Sequence, residues 1–239
     1  MIFLMTVPQQ NIQASPTTPN AGGGVASTLF RVAWLAILLG FAMEALLLLF
    51  TAGFGIFAGL KPVAADLVRQ VSWSTIVCVG LALGTAVSKA RAPLMGVLGL
   101  LAAPVAFTVS RSLHQGAVKT LEIAGSGGDA PPVLLLAVLK AVEYACLGLA
   151  IGWIGRRAWG GLSAHVATGL LVGLVFGGTI VALTYQMSPE PPATTALVSR
   201  GANEILFPVG CSLVLFAATA MGEQVGQRGQ SNQGKEARS

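Results

Sequence analysis

The sequence predicts an all-α fold, a polytopic membrane bundle of about six transmembrane helices. Three observations carry that prediction. Of 239 residues, 54% are apolar and only 10% are charged, against about 25% charged in a soluble domain. Mean hydropathy is +0.76. The apolar residues gather in six runs, each close to the roughly 20 residues that cross a hydrocarbon core. Such a composition excludes a disordered chain and argues against a water-soluble globule.

The elements follow in chain order. Residues 1–28 read as a disordered leader: Met1 to Val7 is too short for a signal-peptide core, and Pro8 to Ser27 is polar and uncharged. Residues 29–222 form the transmembrane domain. The first span lies within Val32 to Leu60, and the second runs from about Val71 to Val87. The third covers Ala92 to Ser110, with Pro104 inside it. The fourth lies within Val133 to Ile154, and the fifth covers Val166 to Tyr185. The sixth runs from about Ile205 to Met221, with Pro208 near its start. Pro131-Pro132 and Pro191-Pro192 mark the ends of the two longer loops. Residues 223–239, polar and rich in Gln and Gly, read as a disordered cytoplasmic tail.

Basic residues orient the bundle. With the N-terminus in the cytoplasm, the inner side holds eight: Arg31, Lys89, Arg91, Arg156, Arg157, Arg228, Lys235 and Arg238. The outer side holds five: Lys61, Arg69, Arg111, Lys119 and Arg200. Both termini are therefore expected in the cytoplasm; which membrane is crossed is not encoded. Trp34, Trp153 and Trp159 near inner ends, and Trp73 and Tyr185 near outer ends, read as aromatic belts.

An internal similarity joins two spans. Cys78-Val79-Gly80-Leu81-Ala82-Leu83-Gly84 and Cys146-Leu147-Gly148-Leu149-Ala150-Ile151-Gly152 agree at five of seven positions. Cys211 holds a comparable place in the sixth span. The expectation is three helical hairpins, arranged about a pseudo-threefold axis if the similarity is a true repeat. Chance matching among Leu, Ala and Gly is the competing explanation.

Glycines at four-residue spacing, Gly80/Gly84, Gly148/Gly152 and Gly169/Gly173/Gly177, put small residues on one helix face, where another backbone can approach. The partner face is either internal or a second subunit. The polar candidates are fewer. Glu44 interrupts an unbroken apolar stretch, where a carboxylate costs a few kcal/mol on insertion scales. It reads as a proton or cation site, a polar clamp to another helix, or a residue displaced toward an interface. Lys140 and Glu143 share a helix face at i, i+3 and neutralise each other. The sharper alternative joins them with Glu44 as one intramembrane polar site. Arg200/Glu204 and Asp66/Arg69 read as solvated helix ends.

No motif points to catalysis. The sequence has no Ser-His-Asp set, HExxH, CxxC or phosphate-binding Gly-Lys-Ser/Thr. His114 and His165 fall on opposite sides of the membrane in this topology. No metal site or cofactor is expected, since Cys78, Cys146 and Cys211 lie in apolar runs where thiols act as small apolar groups. Basic residues are scattered, which excludes nucleic acid as a partner. The expected partner is the lipid bilayer, with other membrane subunits or a second copy of the chain as further possibilities. Two functions remain: a transporter or channel-like protein for a small solute or ion, or a non-catalytic subunit that scaffolds a larger membrane complex.

Overall fold

A computed structural model describes residues 21–55, 59–86, 90–123, 132–188 and 192–236. Among the described residues 90% are helical and none forms a strand. Six helices are long and apolar enough to cross a membrane. Helix α1 is Ala21–Gly53, α2 is Leu60–Leu83, α3 is Arg91–Thr120 and α4 is Val133–Ile154. The fifth span is built from α5 (Leu162–Val172) and α6 (Gly178–Met187), joined by a π-helical turn over Gly173–Gly177. The sixth belongs to α7, Thr194–Glu236.

The hydrophobic runs locate the helices, while their ends lie elsewhere. The first span stops at Gly53 and does not continue to Leu60. Gly55 and Gly59 take positive φ values of 70° and 94°, a region that costs glycine little and other residues much. The second, third and sixth spans extend well past their apolar runs. Helix α2 takes in Asp66 and Arg69, α3 reaches Thr120, and α7 begins eleven residues ahead of Ile205, at Thr194. Adding a residue to an existing helix supplies a backbone hydrogen bond without a new nucleus, so polar flanks join readily. Helix α1 likewise takes in residues from Ala21 onward that read as leader, and α7 continues to Glu236 through the stretch read as tail. Residues 1–20 lie outside the described residues, as do Gly125 to Gly128.

Consecutive spans pack against each other as hairpins. Helix α1 meets α2 closely: a Cβ on Gly40 would sit 2.6 Å from Val71 Cα. The Ser74 hydroxyl donates to the Ala36 carbonyl across this seam at 2.7 Å.

The two similar glycine segments both serve α3. A Cβ on Gly84 would lie 2.7 Å from Met95 Cα, and one on Gly152 would lie 2.6 Å from Ala92 Cα. Gly80 faces Ala102, and Gly148 faces the Met95 backbone. From α3, Gly99 faces the Tyr144 backbone and Gly96 faces Leu149. Helix α3 is thus held between α2 and α4 with little between the backbones. A threefold array would have turned the α4 segment toward the fifth span, so the packing departs from that expectation. The cysteines agree. Cys78 and Cys211 are buried with their sulfurs 3.4 Å apart, whereas Cys146 is only half-buried.

The third glycine series packs on α7. Gly169 faces Val209 and Ser212, Gly173 faces Ile205, and Gly177 faces Glu204. The Ser212 hydroxyl donates to the His165 carbonyl at 2.9 Å. The outward surface carries Phe30, Trp34, Leu49, Leu134 and Leu171, among others, all exposed and suited to lipid. Trp153 and Trp159 are exposed edge to face with centroids 5.5 Å apart, and Arg157 lies over Trp153.

Candidate functional site

The Gly80/Gly84 and Gly148/Gly152 seams bring α2 and α4 onto the backbone of α3 in one half of the bundle. In the other half larger and polar side chains separate these helices. A cavity of about 740 Å³ lies between them. Its wall comes from the late part of α1 and α3, the early part of α2, α4 and α7, and Ile180 of α6. This is the end where α1 finishes and α2 begins.

Aromatic rings form part of the wall. Trp73 is buried and sits edge to face against Phe107, Tyr144 and Phe207, with centroids 5.7–6.5 Å away. It is therefore a core residue and not part of an aromatic belt. The helical spacing of Gln70, Trp73, Val77 and Leu81 explains this, since all four lie on the buried stripe of α2. Gln70 donates its amide to the Asn203 side-chain oxygen at 2.8 Å, tying α2 to α7.

Lys140 is the polar centre. Its ammonium donates to Glu143 at 2.8 Å and to Glu204 of α7. The side chains of Lys140, Glu143 and Glu204 are 9%, 0% and 12% exposed. The same ammonium stands 5.7 Å from the centres of the Trp73 and Tyr144 rings, within cation–π range. Two carboxylates thus share one ammonium, and the second Glu143 oxygen has no hydrogen-bond partner among the described residues. With every group ionised the cluster carries one excess negative charge. Its neutral form holds one proton or one further cation.

Glu204 departs from its expected role. Arg200 and Glu204 do not pair at i, i+4. Glu204 turns inward to Lys140, where a buried ammonium offers a stronger partner than the half-buried guanidinium of Arg200. The Asp66–Arg69 pair does form, with Arg69 Nη2 3.0 Å from the carboxylate. His114 Nε2 lies 3.4 Å from the same Asp66 oxygen.

Glu44 sits apart from the cavity wall. It is buried on α1, and one of its oxygens has no hydrogen-bond partner among the described residues. The structure therefore joins Lys140 and Glu143 to Glu204 and leaves Glu44 outside the cavity wall. Gln70, Trp73, Asn203 and Glu204 belong to the site without having been singled out as its members. The signal available for the amides was their position on helical faces that also carry buried apolar residues.

Among the described residues no group of three or more His, Cys, Asp or Glu side chains is placed to hold a metal ion. His165 is buried, with Nδ1 3.0 Å from the Gly161 carbonyl and its ring against Phe216. Comparison with protein-family models, curated proteins and solved structures found no match.

Proposed function

We propose that the chain is a transporter or channel-like protein that admits a small solute or ion to the cavity, with the Lys140–Glu143–Glu204 cluster as its intramembrane polar site. The observation that carries this reading is a cavity with a buried ion cluster in its wall, inside a bundle of membrane-crossing length. A volume of about 740 Å³ falls in the range of small-molecule sites, about 300–1,000 Å³. Intramembrane ionisable residues facing a cavity are characteristic of solute and proton paths. With both termini in the cytoplasm, the cavity faces the outer side. The Gly80/Gly84 and Gly148/Gly152 seams with α3 then form the inner closure. The Gly173–Gly177 turn supports a moving part, since π turns inside helices recur at functional sites and Gly177 lies directly against Glu204. The reading invokes no catalytic step and no cofactor.

Cysteine accessibility tests it without a known solute. In a variant with Cys78, Cys146 and Cys211 replaced by Ala, one new cysteine is placed at Ser199 in the cavity wall or at buried Ala218. A membrane-impermeant thiol reagent is applied from each side in turn. Transport or conduction predicts labelling of Ser199→Cys from the outer side and slower labelling of Ala218→Cys from the inner side. Labelling at Ser199→Cys with none at Ala218→Cys from either side overturns it, and leaves a scaffolding subunit with a blind cavity.

A further inference from the structure

The cavity wall carries four cations, Arg69, Arg111, Lys140 and Arg200, and one carboxylate, Glu204. Two of the cations are committed. Arg69 is paired with Asp66, and Lys140 is shared by Glu143 and Glu204. Arg111 of α3 and Arg200 of α7 make no ion pair among the described residues. Both are half-buried. A guanidinium partly withdrawn from water inside a low-dielectric bundle strongly favours an anionic partner. Its planar fork suits a carboxylate, which it binds through two parallel hydrogen bonds.

The rest of the wall is of another kind. Phe107 presents aromatic surface, with the accessible edges of Trp73 and Leu47 beside it and Phe207, Leu136 and Ile180 packed behind. A bare inorganic anion would leave this surface unused. Ser110, Ser199 and the Gln70–Asn203 amides supply further polar atoms along the wall.

We propose that the cavity binds a small organic anion, a carboxylate carried on an aromatic or similarly apolar body. Arg111 and Arg200 take the carboxylate, and Phe107 with the accessible edge of Trp73 takes the body. This rests on the reading of the cavity as a solute site and names the class of solute. An anionic phospholipid shares the same chemistry of charge beside apolar mass, so the test separates the two sources.

Trp73 provides the readout. With Trp34, Trp153 and Trp159 replaced by Phe, Trp73 is the sole tryptophan left. The protein is placed in nanodiscs of neutral phosphatidylcholine. 4-Nitrobenzoate, a carboxylate that quenches tryptophan, is titrated beside the uncharged 4-nitrobenzamide. The expected result is saturable quenching by 4-nitrobenzoate, displaced by benzoate but not by benzamide, with weak unsaturable quenching by 4-nitrobenzamide. Arg111→Gln and Arg200→Gln each weaken binding roughly tenfold or more, the scale of a lost charge-assisted hydrogen bond, and Arg111→Lys retains part of it. Size-exclusion profiles matching the parent identify variants that remain folded.

Equal quenching by both probes, or unchanged affinity in folded Arg111→Gln and Arg200→Gln, overturns the proposal. So does loss of 4-nitrobenzoate binding when a fifth of the lipid is phosphatidylglycerol, since a lipid would then be the occupant. Binding that survives while Ala218→Cys stays unlabelled keeps the anion site and removes transport. Labelling on both sides without anion binding keeps transport and removes the anion.

Discussion

The two halves of α4 are held by different forces. From Cys146 onward, Gly148 and Gly152 bring the backbone onto α3 with no side chain between them. Ahead of that, Lys140 and Glu143 hold α4 to α7 through charge, beside a cavity. In lipid, apolar side chains gain little by leaving the membrane for a protein interior, so tight helix contact depends on close packing and on polar links. Helix α4 uses one of these at each end. Close packing fixes a single geometry, because a seam without side chains has no slack. A charge cluster beside a cavity fixes the partners and leaves room around them.

Four substitutions sharpen or break this contrast, each read as a change in unfolding free energy in an SDS titration. The largest effect belongs to Lys140→Met, which leaves Glu143 and Glu204 facing each other without a cation. A loss of about 3–5 kcal/mol is expected, the range for breaking a buried ion pair. The triple variant Lys140→Met, Glu143→Gln, Glu204→Gln recovers most of it. Stability unchanged by Lys140→Met would mean that the charged end contributes nothing to holding α7.

Gly148→Val comes next. Its side chain enters the Met95 backbone, and a loss of about 1–3 kcal/mol is expected from overpacking. Parental stability would remove the claim that the seam has no slack. Gly178→Ala is the matched control, since a Cβ there meets nothing within 4 Å. It should stabilise by about 0.5–1 kcal/mol through reduced backbone entropy. A loss at both glycines would show that the cost is not particular to the seam, since either substitution raises helix propensity. The smallest effect is that of Gln70→Leu, about 0.6 kcal/mol, the average for an interhelical hydrogen bond in a membrane protein. A loss several times larger would make the amide pair, and not the ion cluster, the chief polar link to α7.

The sequence made the spans readable because a membrane helix must be apolar over a length set by the bilayer. The fourth span, expected within Val133–Ile154, fills that range as α4. Helix ends were less legible, since residues such as Asp66 and Arg200 lie past the apolar run yet remain helical. Lys140 and Glu143 were legible as a pair because their spacing lies within one helix. Glu204 was not, because its partner is 64 positions away and the nearer Arg200 offered a local pairing of the same form. Trp73 misled for a related reason: its depth suggested a membrane interface, while its direction is decided by which face of α2 meets α3, α4 and α7.

The π turn has a consequence for the stripe it interrupts. On a helix of 3.6 residues per turn, a four-residue step overshoots a full revolution by about 40°. Gly169 to Gly173 is such a step. A π turn takes up a little over four residues, so the step from Gly173 to Gly177 falls short by a similar angle. The two errors nearly cancel. The widened turn acts as a vernier, returning the third glycine to the azimuth of the first, and with it the face that reaches Glu204.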